Sequence, residues 1–130
     1  MYQGIVSLST LLRIGMLNLK PMDFTQYQTK AQTTATYPNM GNNPYYPALG
    51  LGGETGEVLN KVKKIMRDHD GVLTDEFREI LKSELGDVLW YVAALASELH
   101  LNLDDIAQAN LEKLFSRKER GVIGGSGDNR

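Results

Sequence analysis

The sequence predicts an all-α protein, a four-helix bundle completed by dimerisation. Apolar residues recur at helical spacing in four separate segments after residue 22. Capping residues precede these segments, and glycine or proline lies near their ends. Together their apolar faces exceed what one small bundle can cover, so we expect a helical interface between subunits.

Composition narrows the function classes. The chain has 130 residues, 42% hydrophobic and 23% charged, with a net charge of −2, which is typical of one soluble domain. A nucleic-acid binder would normally carry a basic stripe, so polyanionic partners are not expected. The absence of cysteine excludes thiolate sites and fits a reducing compartment. We therefore expect a cytoplasmic protein, in the host cytoplasm if it is viral.

Three regions follow from the pattern: an N-terminal extension at 1–22, a helical domain at 23–120 and a glycine-rich tail at 121–130. The apolar stretch 4–19 is interrupted by Arg13 and is too short to span a bilayer. It also lacks the features of a secretory signal. No membrane partner is expected.

The first predicted helix starts after Asp23, which with Gln26 resembles a capping box, and ends before Tyr37. Gln28 on this helix is a candidate substrate contact, with a solvated amide as the alternative. The segment 37–47 is rich in proline, asparagine and tyrosine, which predicts a loop. Such a loop could hold a flat heterocycle, although its tyrosines could equally serve packing.

The second helix is predicted from near Pro47 to about Asp68. Glycines at 50, 52, 53 and 56 should each cost it up to about 1 kcal/mol relative to alanine. A close approach by a neighbouring helix or ligand would explain them, and Gly52 and Gly56 form a small-residue face.

The third helix is predicted from Asp75, capped by Thr74, to about His100, with Trp90 and Tyr91 off its apolar stripe. These two aromatics would widen the core or face a partner subunit. The fourth helix is predicted from Leu103 to about Glu119, capped by Asn102 and ended by Gly121.

Two pairs of acids are the main functional signal. Glu54 and Glu57 lie three residues apart on the second helix, and Glu84 and Asp87 repeat this spacing on the third. Each pair shares one helical face. Either pair alone is more simply a solvated surface, but the repetition favours four carboxylates around a divalent cation. No Glu-x-x-His pair is present, so Mg²⁺ is expected, with Mn²⁺ as a substitute.

Basic residues supply a second signal. Asn110, Lys113 and Arg117 follow one another at helical spacing, which would suit phosphate oxygens. A solvated basic edge beside Glu112 and Glu119 explains them equally well. Lys61, one turn beyond Glu57, is a further candidate substrate contact.

With these residues the chain resembles the MazG-type all-α nucleotide pyrophosphohydrolases, which are related to dimeric dUTP and dCTP pyrophosphatases. The resemblance rests on Glu54-x-x-Glu57 followed by Glu84-x-x-Asp87 and extends to the fourth helix. It implies a MazG-like bundle that hydrolyses nucleoside triphosphates of the dNTP pool to the monophosphate and pyrophosphate with Mg²⁺. It also implies a homodimer or dimer of dimers. Glu54 or Glu57 would orient the attacking water.

Two alternatives stay open at this stage. The enzyme could hydrolyse an alarmone or a modified nucleotide instead, because base selection depends on geometry that the sequence does not give. Alternatively, the chain could be a non-enzymatic helical scaffold whose acids bind a structural cation.

Overall fold

The computed structural model describes residues 21–127 and is all-helical over that range. Four helices follow in order: α1 (Phe24–Gln32), α2 (Tyr45–Asp68), α3 (Asp75–Glu98) and α4 (Leu103–Glu119). The predicted all-α class is confirmed. Nearly all of the predicted extension 1–22 and the last three residues of the tail lie outside the described residues. None of the helices described is long and apolar enough to cross a membrane.

The predicted caps are present at three helix starts. The side chain of Asp23 accepts a hydrogen bond from the Gln26 amide at 2.7 Å, and Thr74 accepts one from Phe77 at 3.2 Å. Asn102 accepts one from the Asp104 amide at 2.8 Å. Each cap satisfies an amide of the first turn that lacks a partner within the helix.

Helix α3 ends two residues earlier than predicted, at Glu98, because His100 adopts a left-handed conformation with φ 55°. The amides of His100 and Leu101 then bond back to the carbonyls of Ser97 and Ala96, which forms a Schellman motif. The same motif closes α4 at Gly121, whose φ is 69°. The predicted stop at Gly121 is therefore confirmed.

Helix α1 is also shorter than predicted, ending at Gln32. The hydroxyls of Thr33 and Thr34 bond to the carbonyls of Lys30 and Ala31, both at 2.7 Å. Threonine hydroxyls that compete for backbone partners favour turns over helix. The loop that follows is shorter than the predicted 37–47: it ends at residue 44, because α2 begins at Tyr45, two residues before Pro47.

Helices α2 and α3 are antiparallel neighbours joined by a short turn, and they make the main helical contact of the fold. Helix α1 packs across α3, and α4 packs on α1. Among the described residues, most buried apolar side chains lie near the C-terminal end of α3, namely Tyr37, Pro47, Ala93, Ala94, Ala96 and Leu103. Ile65 is buried near the turn between α2 and α3. This small core fixes the crossing of α2 and α3, which carry the predicted acids.

The close approach expected on α2 occurs at Gly50. A Cβ atom at Gly50 would overlap the ring of Tyr91, so only glycine lets α3 come this near. Within the described chain, a Cβ at Gly52 or Gly56 would meet no atom within 4 Å. The expectation that these two glycines form the close-packing face is therefore wrong for contacts inside one chain.

Candidate active site

Three of the four predicted acids converge between α2 and α3. Carboxylate oxygens of Glu54, Glu84 and Asp87 lie within 4.8 Å of one another. Glu54 comes from α2 and the other two from α3, and all three are half-buried or exposed. Three like charges at this separation repel one another, and a shared cation would relieve that repulsion. The donors are carboxylate oxygens only, which is the chemistry that a hard divalent ion prefers.

Glu57 lies one turn beyond Glu54 and is not part of this group of three. Its side chain is exposed and lines a neighbouring open cleft with Gly56, Leu59, Asn60 and Lys63. The structure therefore brings three of the predicted four ligands together and leaves the fourth beside them.

Lys61 forms an ion pair with one member of the acidic group. Its ammonium nitrogen lies 3.6 Å from Oε1 of Glu84, and the Glu84 side chain is 18% exposed. This partly screened pair is weak. The predicted substrate contact at Lys61 is thus placed at the edge of the carboxylates, where it offsets part of their negative charge.

An open cleft of about 370 Å³ lies beside the carboxylates and is lined by Glu54, Asp87, Trp90 and Tyr91. The two aromatic rings meet edge to face, with centroids 4.9 Å apart and an angle of 85°. The indole nitrogen of Trp90 donates a hydrogen bond to Thr34 Oγ1 at 2.8 Å. We call Trp90 and Tyr91 the aromatic wall. Their position off the apolar stripe of α3 was visible in the sequence, but its link to the acids was not.

The carboxylates affect two tyrosines, Tyr27 and Tyr91. Burial, then the charge of Asp87, raises the pKa of Tyr27 on α1. Burial also raises the pKa of Tyr91, and Tyr46 and the carboxylate of Glu54 add to the rise. Both phenols therefore stay protonated near neutral pH and can donate hydrogen bonds next to the acids.

The three residues of the predicted phosphate ridge differ in exposure. Asn110 and Lys113 are exposed, whereas Arg117 is only 6% exposed and interacts within the fold. Their helix, α4, packs on α1, and the ridge does not line the cleft beside the carboxylates. Within the part of the chain described here, the ridge and the carboxylates are thus separate features.

Gln28 has a role in the fold. Its amide nitrogen donates to Ser97 Oγ at 3.1 Å and to the Leu101 carbonyl at 2.9 Å. Its oxygen accepts from the Leu103 amide at 2.8 Å. Gln28 therefore fastens α1 to the turn between α3 and α4. Because both ends of the amide are occupied there, the structure offers no support for Gln28 as a substrate contact.

Comparison with known proteins bears on this site directly. The model of the MazG nucleotide pyrophosphohydrolase domain matches residues 47–122, the segment that holds all four acids and the aromatic wall. The chain is also similar to the Gene 37 protein of Mycobacterium phage L5, with 56% identity over 109 residues. That alignment covers 80% of this chain and 96% of the phage protein, whose name states no activity. No solved structure matches the chain.

Proposed function

Because the chain belongs to the MazG nucleotide pyrophosphohydrolase family, we propose that it hydrolyses nucleoside triphosphates of the dNTP pool to the monophosphate and pyrophosphate. The observation that carries this proposal is the group of three carboxylates within 4.8 Å, contributed by two helices and bordering the aromatic wall. The carboxylates would bind the cation, and the aromatic wall beside them would bind the nucleoside. The reaction would take place in the cytoplasm, that of an infected cell if the chain is encoded by a phage like its relative.

Glu54, Glu84 and Asp87 would hold the cation, and their all-oxygen donor set fits Mg²⁺, with Mn²⁺ as a substitute. A bound Mg²⁺ neutralises phosphate charge and lowers the pKa of a bound water. Glu57, one turn further along α2, has two possible roles: it completes the ligand set by a side-chain rotation, or it takes the proton from the attacking water. Glu54 is the other candidate for that proton transfer. The variants described below distinguish the two roles of Glu57.

The aromatic wall gives the nucleoside a place to lie. Trp90 and Tyr91 present ring surface to the cleft that Glu54 and Asp87 border. A nucleotide with its phosphates at the carboxylates would set its base or sugar against these rings, because stacking tolerates any base. Selection among bases would then depend on polar groups near the acids and the rings, such as the phenols of Tyr27 and Tyr46.

Phosphate contacts would come from Lys61 and from the ridge of Asn110, Lys113 and Arg117. Lys61 already lies beside the carboxylates. The ridge does not border the cleft of its own chain, and we propose that dimerisation brings it there from a second copy. Cations and an amide at that position would hold the phosphates in line for attack.

A dimer, or a dimer of dimers, is supported by apolar side chains left exposed on α2, α3 and α4. Leu59, Met66 and Leu85 are 65%, 67% and 56% exposed, and Phe115 is 58% exposed. Large exposed apolar side chains commonly mark a subunit interface when they form one patch. Light scattering at micromolar concentration tests this directly, and a stable monomer would contradict it.

The reaction is tested by product analysis. The protein is incubated with each ribo- and deoxyribonucleoside triphosphate, first with Mg²⁺ and then with a chelator, and the products are separated by ion exchange. We expect the monophosphate and pyrophosphate only when metal is present. Release of the diphosphate and inorganic phosphate would indicate a different bond specificity.

The variant Glu57→Gln, with one control, distinguishes the two proposed roles of Glu57 as metal ligand and as base. If Glu57 is a ligand, Glu57→Gln raises the Mg²⁺ concentration needed for the half-maximal rate. If Glu57 is the base, the variant binds Mg²⁺ normally but loses the ascending limb of the pH–rate profile. Glu79→Gln, an exposed glutamate on α3 paired with Lys82, is the matched control and is expected to behave as the wild type.

The two alternative functions predict different results in the same product analysis. Turnover of an alarmone or an oxidised nucleotide alone would keep the chemistry and change the substrate. Metal-dependent melting with no turnover of any of these nucleotides would instead favour the scaffold.

A further inference from the structure

Glu98, the last residue of α3, is a buried carboxylate outside the group of three acids. It is only 5% exposed, and the proposed reaction makes no direct use of it. Burying a carboxylate is costly unless both oxygens find strong partners. The partners of Glu98 therefore indicate what the residue does.

All three hydrogen bonds to Glu98 come from the loop before α2. Oε1 accepts from the Tyr37 hydroxyl at 2.6 Å and from the Gly41 amide at 2.9 Å. Oε2 accepts from the Asn43 amide at 2.8 Å. Burial would raise the pKa of Glu98, but these three donors, with a smaller contribution from His100, outweigh it and lower the pKa. The carboxylate thus stays ionised and holds the loop wrapped around it.

The loop in turn fixes the position of the first turn of α2. Asn43 donates from Nδ2 to the Pro38 carbonyl at 2.8 Å and accepts from the Tyr46 amide at 3.2 Å. The ring of Tyr37 stacks on that of Tyr46, with centroids 4.9 Å apart and an angle of 14°. Glu98 therefore fixes the position of Tyr46 both through the backbone and through ring stacking.

Tyr46 in turn contacts the aromatic wall. Its phenol lies close enough to Tyr91 to contribute to the raised pKa of that residue, and the Tyr91 ring packs against the backbone at Gly50 and lines the cleft with Glu54 and Asp87. A continuous set of contacts thus leads from Glu98 through Tyr37 and Tyr46 to Tyr91. None of these contacts involves the carboxylate cluster itself.

We propose that Glu98 is a positioning residue that sets the affinity for the nucleoside part of the substrate by fixing Tyr46 and Tyr91, without affecting the phosphate chemistry. This inference rests on the proposed nucleotide hydrolysis. Buried ionic groups often add little stability, yet they select one conformation among several. Apolar packing could stabilise this loop equally well, but it would not fix the direction of three donors at once.

The test compares two probes that share the phosphate chain. Steady-state kinetics are measured with the preferred substrate among dATP, dCTP, dGTP and dTTP, and inorganic tripolyphosphate is used as a competitive inhibitor. Glu98→Gln turns one acceptor into an amide that faces the loop donors. We expect KM to rise about tenfold, equivalent to about 1.4 kcal/mol, with kcat nearly unchanged. The inhibition constant of tripolyphosphate should not change.

Two further variants guard against a trivial loss of structure. Tyr37→Phe removes one donor and leaves both backbone donors in place, so a smaller rise in KM is expected. If Glu98→Gln lacks a cooperative thermal transition and so is not folded, the KM of Tyr37→Phe tests the proposal in its place. Glu79→Gln, exposed on the same helix, controls for the lost charge. Hydrogen exchange at the amides of Gly41 and Asn43 should accelerate in Glu98→Gln and not in Glu79→Gln.

The outcomes separate this inference from the function on which it rests. Equal weakening of nucleotide and tripolyphosphate, or a loss confined to kcat, would overturn the role of Glu98 while leaving the hydrolase intact. If the wild type hydrolyses no nucleoside triphosphate, the proposed function fails and the inference falls with it.

Discussion

The contact between Gly50 and Tyr91 makes a quantitative prediction about the site. In Gly50→Ala the new methyl group would occupy the position of the Tyr91 ring. Alanine gains about 1 kcal/mol over glycine in a helix, and overpacking costs about 1–3 kcal/mol. The ring cannot yield freely because the Trp90 ring contacts it and Tyr46 lies near it. We expect a net destabilisation of up to about 2 kcal/mol from these opposing terms, together with a rise in KM as Tyr91 moves.

Gly52→Ala is the matched control on the same helix. A Cβ there meets no described atom within 4 Å, so this variant should be stabilised by up to about 1 kcal/mol. The double variant Gly50→Ala/Tyr91→Ala completes a thermodynamic cycle. With the ring removed, Gly50→Ala should become stabilising, which gives a coupling of about 1–3 kcal/mol between the two positions.

Urea denaturation of the four proteins in the cycle measures these free energies of unfolding, and steady-state kinetics measure KM. The reasoning is refuted if Gly50→Ala changes stability by the same amount with and without the Tyr91 ring. It is also refuted if Gly50→Ala and Gly52→Ala are indistinguishable.

Three other predictions follow from the site and the loop. Asp87→Asn should lower kcat by at least about 100-fold, because loss of a metal ligand should cost more than loss of a residue that only hydrogen-bonds to a ligand. It should also remove any rise in melting temperature with Mg²⁺; a normal response to Mg²⁺ would contradict the cluster. Burial first, and then the hydrogen bond to Glu98, raises the pKa of Tyr37 to about 12, so its stabilisation is complete below pH 10 and is lost as the pH rises to 12. One pKa unit corresponds to about 1.4 kcal/mol, so between pH 10 and pH 12 the free energy of unfolding of the wild type should fall by about 3 kcal/mol more than that of Tyr37→Phe. If the two proteins lose stability in parallel as the pH rises, this role of Tyr37 is excluded. Finally, Met66→Glu should yield a monomer in light scattering while Lys64→Glu does not, and an unchanged mass would place the interface elsewhere.

Local signals in the sequence predicted the helices well. Asp23, Thr74 and Asn102 act within one helical turn, so their capping roles could be inferred without knowledge of the fold. Gly121 likewise acts on the turn before it. The end of α3 was predicted too late because His100 takes a left-handed conformation that the sequence favours only weakly.

Helical periodicity predicted which site residues share a face of one helix, but not how the side chains of different helices meet. The spacing of Glu84 and Asp87 predicted their shared face, and the matched pair on α2 predicted a partner for them. It did not reveal that Glu57 lies outside the group, since that depends on the side-chain conformation and on how α2 meets α3. Glu98 resembles any charged residue at a helix end, and its donors lie 55 to 61 residues away. Contacts of that separation leave no periodic signal.

The place of the carboxylates along α2 and α3 has a mechanical consequence. Both helices have 24 residues, and the acids lie roughly 14 to 21 Å from the turn that joins them, at 1.5 Å per residue. At the outer end of that range a change of about 3° in the crossing angle separates the oxygens by about 1 Å. Because Mg²⁺ accepts its ligands only within a narrow range of distances, binding it would select one crossing angle. The same angle sets how the start of α2, with its loop, faces Tyr91. Ion binding at the carboxylates and nucleoside binding at the neighbouring aromatic wall would then both depend on this crossing angle.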